Sequence, residues 1–242
     1  MIDPRTSVVY KRLKDIKKIF IIASSKGGVG KTLISILLSM GFRDLGYKTG
    51  LLDIDFTNPS CHILFNIDPG IKPIEDRGLI PPTVNGVRFM TISYFIGESG
   101  VALRGQDIDN IFKEILAITR WDDIEYLVVD TPPGLGDELL DLATLIPWGE
   151  VILVTLPNRL SLTSIKRMIG ILKDQTKLIG VIENMWRRER SVRDIVINMD
   201  LNYLGYIPYI DRLDDLIEEI GLDKVYKKYF RGYVNDIIPS IL

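Results

Sequence analysis

Residues 26–32 read Lys-Gly-Gly-Val-Gly-Lys-Thr, entered from the apolar run Ile19-Phe20-Ile21-Ile22-Ala23 and followed by a helix-forming stretch, Thr32 to Met40. Strand, glycine-rich loop and helix in that order make a phosphate-binding loop. The general pattern G-x-x-x-x-G-K-S/T is met from Gly30 to Thr32, with Ser25 at its first glycine. A helix N-terminus offers unpaired backbone N–H groups and a positive dipole end to an anion. Gly27, Gly28 and Gly30 let the backbone curl close to the phosphates, where a Cβ would obstruct it. The whole run Lys26, Gly27, Gly28, Val29, Gly30, Lys31, Thr32 and Leu33 is therefore the expected nucleotide-binding segment. Lys31 is expected to neutralise the β- and γ-phosphates, and the Thr32 hydroxyl to ligate Mg²⁺.

Around this loop, β-branched runs alternate with longer amphipathic stretches, the pattern of a parallel sheet covered by helices. Strands are expected near 19–24, 49–54, 87–94, 125–130, 150–155, 177–183 and 203–207. Helices are expected near 31–46, 106–120, 137–146, 160–173, 190–199, 211–220 and 223–238. The fold class is α/β, one doubly wound, mostly parallel sheet of seven or eight strands over residues 19–242. Residues 1–18, with Lys11, Arg12, Lys14, Lys17 and Lys18, read as a basic N-terminal extension, either a solvated helix or a polyanion contact. Residues 56–86 contain Pro59, Pro69, Pro73, Pro81 and Pro82. So long a connection beside the phosphate site suits a switch or partner-binding segment as well as ordinary surface packing.

Two acidic strand ends aim at the loop. The second strand closes Leu51-Leu52-Asp53-Ile54-Asp55, two carboxylates on one side at the edge where α/β sheets bind ligands. The fourth closes Tyr126-Leu127-Val128-Val129-Asp130, an apolar strand ending in the aspartate that holds Mg²⁺ in Walker B sites. A carboxylate at the end of a buried strand needs a cation or donors to offset its desolvation.

Composition narrows the class. The 242 residues are 46% hydrophobic and 26% charged, with a formal net charge of −2, which gives no global attraction to nucleic acid or anionic lipid. Cys61 is the single cysteine, which excludes an internal disulfide and suggests a cytoplasmic setting. No apolar run is long enough for a membrane span, and residues 1–18 lack a signal-peptide pattern. His62, the one histidine, reads as a surface or packed residue, and Cys61 as a buried thiol.

The loop K-G-G-V-G-K-T resembles the deviant P-loop of the family that includes MinD, ParA, the nitrogenase iron protein and Mrp-type ATPases. Further stretches look like its Mrp branch: Leu52-Asp53-Ile54-Asp55 with Asn58-Pro59-Ser60, Arg104-Gly105, Asp130-Thr131-Pro132-Pro133-Gly134-Leu135-Gly136-Asp137-Glu138, and Gly180-Val181-Ile182-Glu183-Asn184-Met185. The resemblance implies roles residue by residue. Lys26 would reach the phosphates held by an opposing subunit of an ATP-bridged homodimer, and Asp55 would orient the attacking water. Asp53 would support the Mg²⁺ shell with Thr32 and Asp130. Gly134 would sense the γ-phosphate through its backbone N–H, Asn184 would hydrogen-bond adenine, and the loop around Pro208 would close over the base.

One departure matters most. Mrp-type iron–sulfur carriers place a C-x-x-C pair shortly after E-N-M, whereas Met185 is followed here by Trp186-Arg187-Arg188-Glu189-Arg190-Ser191. Clusters are held by several thiolates, and two copies of Cys61 supply two, so no cluster is expected by that route. Three functions stay open: an Mrp-like assembly ATPase acting on a protein client, a MinD- or ParA-like positioning ATPase on membrane or DNA, and a nucleotide-binding regulatory module. The membrane variant draws on the C-terminal stripe Leu222, Val225, Tyr226, Tyr229, Phe230, Tyr233, Val234 and Ile237, although such a stripe more often packs on its own domain.

Overall fold

The computed structural model describes residues 3–56, 59–68, 70–96, 105–134, 137–187 and 191–242. Asn58, Arg104, Leu135, Gly136 and residues 188–190 of the stretches quoted above lie outside them. In chain order the elements are α1 Pro4–Leu13, β1 Lys18–Ala23, α2 Lys31–Asp44, β2 Thr49–Asp53, α3 Cys61–Leu64, β3 Ile74–Glu75, β4 Leu79–Ile80, β5 Thr83–Val84 and β6 Val87–Thr91. They continue α4 Ser93–Ile96, α5 Gly105–Ile118, β7 Tyr126–Asp130, α6 Asp137–Leu145, β8 Glu150–Thr155, α7 Arg159–Leu172, β9 Lys177–Trp186, α8 Arg193–Ile197 and β10 Tyr203–Pro208. The chain ends in α9 Leu213–Ile220, α10 Leu222–Val225, a π-helical turn Tyr226–Phe230, α11 Arg231–Ile237 and a 3₁₀ turn Ile238–Ser240.

Eight strands form one sheet in the order β10-β9-β8-β1-β7-β2-β6-β5. Every pairing is parallel except β5 with β6 at one edge. Strands β2, β7 and β8 are buried at every position, because helices cover both faces of a parallel sheet. The chain leaves β7 on one side of β1 and enters β8 on the other, so β1 stands at a topological switch point, where such sheets bind ligands. The register levels the relevant strand ends: Asp130 lies opposite Ile22 of β1 and opposite Asp53 of β2.

Helix α2, which follows the loop, is buried over ten of its residues. Its inner side stacks Phe42 between Phe20 of β1 and Tyr126 of β7, with ring centroids 5.2 and 4.9 Å apart. Its outer side meets the C-terminal segment. A Cβ at Gly41 would stand 2.4 Å from Val234 Cγ1, so the two helices approach as closely as they do only because a glycine is there.

One expectation is corrected, and one open reading is decided. The stretch 1–18 is no solvated appendage: Val9 and Leu13 on α1 are fully buried, and Arg12 donates to Arg77 O at 2.9 Å and to Ala117 O at 3.2 Å. Only Lys11, Lys14 and Lys17 keep the exposure expected of the charge run. The C-terminal stripe is core. Leu222, Val225, Tyr226, Phe230, Val234 and Ile237 are all buried, which removes the apolar face that a membrane surface would need. Residues 56–86 are also less featureless than a long connection, since they carry α3, the β3–β4 ribbon and β5.

Candidate functional site

The loop after β1 turns on Gly28 and Gly30, whose φ values of +76° and +77° lie in the left-handed region that side chains resist. Gly30 is the N-cap of α2, and no side chain caps that helix. Its first N–H groups are thus left to face a cleft of about 360 Å³. The cleft is walled by the loop from Lys26 to Leu33 together with Asp55, Ser60, Leu64, Pro133, Met185, Leu213 and Asp214.

Under the cleft floor the Asp130 carboxylate collects donors from α2. Lys31 Nζ lies 2.7 Å and Ser35 Oγ 2.8 Å from Oδ1, while Thr32 Oγ1 lies 2.8 Å from Oδ2. Lys31 at 5% exposed, Ser35 at 0% and Asp130 at 0% are buried, and Thr32 is half-buried at the cleft edge. Removing either charged partner would strand the other in a low-dielectric site. Ser35 escaped the sequence reading, although its place four residues after Lys31 puts it on the same helix face.

Asp53 sits beside Asp130, accepting from Asp55 N at 3.1 Å and Cys61 N at 3.3 Å and pairing with the Cys61 thiol. Burial first, and then the charge of Asp130, push the Asp53 carboxyl up to about 8. Burial likewise pushes the Cys61 thiol up. The stability consequence has a definite sign. Between an unfolded value of about 3.9 and a folded value near 8, the folded chain keeps a proton that the unfolded chain has released, so stability falls as pH rises through that window. In chelator and without nucleotide, the wild-type midpoint in denaturant should drop from pH 5 to pH 8, and Asp53→Asn should flatten the drop. Parallel profiles for the two proteins would contradict this.

The donor set fits a small hard cation. Thr32 Oγ1, Asp130 and Asp53 supply oxygens at the foot of the phosphate loop, the two aspartates fully buried. Mg²⁺ held there would be bound through these three residues, in part through water.

The remaining expected residues fall as follows. Asp55 is 7% exposed and lines the cleft. Lys26 lines it too, half-buried, and forms no ion pair among the described residues. Gly134, with φ +98°, donates its N–H to Ser24 O at 2.8 Å, so sensing a phosphate through that N–H requires the bond to open. Asn184 is 1% exposed, and its Nδ2 donates to Val29 O at 2.8 Å, bracing the loop from below. Pro208 ends β10 beside Trp186 and does not line the cleft. Met185, Leu213 and Asp214 occupy that wall instead, the last two at the start of α9.

A strand, a glycine loop, an uncapped buried helix and an aspartate at the next strand's end define a P-loop nucleotide-binding protein. The family follows from sequence. A family model described as ParA, the NUBPL iron-transfer P-loop NTPase, matches residues 15–208, and the chain belongs to this family, in its Mrp-type branch. It is 34% identical to the iron–sulfur cluster carrier protein of Rickettsia felis, over 72% of this chain and 55% of that one. With the cytosolic Fe-S cluster assembly factor CFD1 of Kluyveromyces lactis it shares 34% identity over 94% of both chains. The chain thus spans little more than half the length of the Rickettsia relative, but nearly all of the yeast one. Among solved structures, a nucleotide-binding protein from Archaeoglobus fulgidus in complex with ADP superposes with a TM-score of 0.77, at 24% identity over 93% of this chain and 96% of that one. The cell division ATPase MinD of Pyrococcus furiosus gives 0.67, at 21% identity over 93% and 98%. These two likenesses establish the fold.

Proposed function

We propose that this chain is a cytoplasmic Mg²⁺-dependent ATPase that acts as a nucleotide-bridged homodimeric switch in iron–sulfur protein assembly, working on a protein client without a C-x-x-C cluster site of its own. The observation that carries the ATPase part is the Asp130 carboxylate gathering Lys31, Thr32 and Ser35 directly beneath an uncapped helix N-terminus. The family match and the names of the relatives support the assembly part.

The chain's own residues divide the work. The first N–H groups of α2 and the loop backbone cradle the phosphates. Lys31 exchanges Asp130 for the β- and γ-phosphate oxygens, and Thr32, Asp53 and Asp130 would hold the metal. Bound Mg²⁺ supplies charge to neutralise the developing oxyanions. Asp55 orients a water whose oxygen attacks the γ-phosphorus as the bond to the β–γ bridging oxygen breaks, giving ADP and phosphate. Most of the catalysis is positioning and charge, with Lys26 of a second subunit adding the last positive group.

The missing pair after Met185 shapes the output. Two copies of Cys61 are too few thiolates for a four-thiolate cluster. A conformational state passed to a client is then the product that matters. The positioning reading has lost its apolar C-terminal face to the core.

Phosphate release under Mg²⁺ tests the reading. Wild type should turn over slowly, and Asp55→Ala should fall about 100-fold, within the range of a lost water-positioning base, while nucleotide affinity holds within about threefold. Equal rates in both proteins would remove Asp55 from the mechanism. No release from either would reduce the function to nucleotide binding.

A further inference from the structure

Cys61 does not rest in an ordinary apolar pocket. It opens α3, is fully buried, and its Sγ lies 3.8 Å from Asp130 Oδ2 while its backbone N–H donates to Asp53. One ligand atom each from Asp53, Cys61 and Asp130 lies within 4.8 Å of the others. We propose that these three residues form a site for a thiophilic divalent cation of the Zn²⁺ class, competing with Mg²⁺ at the foot of the phosphate loop. The proposal rests on the nucleotide-site reading above and adds to it a soft ligand.

The geometry is close to what such an ion needs. With Zn–S near 2.3 Å and Zn–O near 2.0–2.2 Å, tetrahedral ligand atoms stand roughly 3.4–3.6 Å apart. The Cys61–Asp130 pair already has about that spacing. The ligands come from three elements, the ends of β2 and β7 and the start of α3, so the sheet holds two of them in register. Lys31 is engaged with Asp130, while Asp53 accepts from two backbone N–H groups and pairs with the Cys61 thiol. A water or a phosphate oxygen would complete the fourth position from the cleft side, where Thr32 and Ser60 line the wall.

Thiolate selects Zn²⁺-class metals over Mg²⁺, which prefers oxygen and gives up its water reluctantly. As the metal binds, the Cys61 thiol proton and the proton held by Asp53 both pass to solvent, and no redox change is required. Occupation would pin α3 to the ends of β2 and β7, tying the start of the proline-rich segment to the nucleotide site.

Co²⁺ is the probe, because a thiolate-to-cobalt charge-transfer band reports the bond directly and Cys61 is the single cysteine in the sequence. Titrating chelator-treated, nucleotide-free wild type should raise that band to saturation near one equivalent, and Zn²⁺ should bleach it. In Cys61→Ser the band should vanish while the far-ultraviolet circular dichroism and melting profile stay close to wild type. No band in wild type, or a band that survives in Cys61→Ser, overturns the proposal. Mg·ADP binding by calorimetry on the same wild-type sample separates the two readings. Nucleotide binding without the band defeats only the metal site, and a band without nucleotide binding defeats the nucleotide site.

Discussion

Replacing Lys31 by alanine is expected to cost about 10–100-fold in nucleotide affinity, the loss of one or two charge-assisted hydrogen bonds to phosphate. Turnover should fall further, by about 10²–10³-fold, because the same ammonium meets charge that grows in the transition state. The structure adds a second consequence. Lys31 Nζ stands 2.7 Å from Asp130 in a site where both are almost wholly buried, so the variant leaves a carboxylate without its cation. Breaking a buried pair in this way costs about 3–5 kcal/mol, and the variant should unfold earlier in denaturant. Lys31→Ala with Asp130→Asn should recover much of that stability while recovering no turnover. Calorimetry well below the midpoint, with phosphate release on both variants, checks the pattern. Wild-type affinity in Lys31→Ala would remove the lysine from the phosphate site.

Lys26→Ala should behave in the opposite way. Lys26 lines the cleft but is half-buried and has no ion pair among the described residues, so its loss strands no charge. Folding should hold within about 0.5 kcal/mol, as for surface changes that break no buried feature. Binding of nucleotide to one subunit should change by less than about threefold. Turnover should nevertheless fall by about 10²–10³-fold, towards the range seen when a cation supplied in trans is removed from a phosphoryl-transfer site. Affinity kept while rate is lost separates a lysine that serves the partner from one that serves its own subunit.

Much of this was readable in the chain. Strands β1, β7 and β8 announce themselves because both faces of the sheet are covered, which gives each an apolar run of four or five residues. The loop and Asp130 follow from local chemistry that needs no tertiary information. Other features depend on what meets what. Whether the stripe from Leu222 to Ile237 faces lipid or protein cannot be told from its period, and Gly41 opposite Val234 decides it. Val9, Leu13 and Ile16 do recur at helical spacing, but the lysines around them dominate the pattern. The β3–β4 ribbon has two residues per strand, too few to show a period. Cys61 reads as a small hydrophobe between polar and apolar neighbours, and only the convergence of three chain segments sets it against two carboxylates. Asn184 also braces Val29 through its Nδ2, a contact across 155 positions of sequence that no local pattern shows.

The central claim is that ATP joins two copies of this chain through Lys26. Sedimentation velocity with a non-hydrolysable ATP analogue and Mg²⁺ tests it most directly, with wild type and Lys26→Ala compared at equal nucleotide saturation. Wild type should shift from monomer to dimer on adding the analogue and return on exchange to ADP, while Lys26→Ala stays monomeric. A nucleotide-saturated wild type that remains a monomer, or a Lys26→Ala dimer of unchanged strength, would contradict the account.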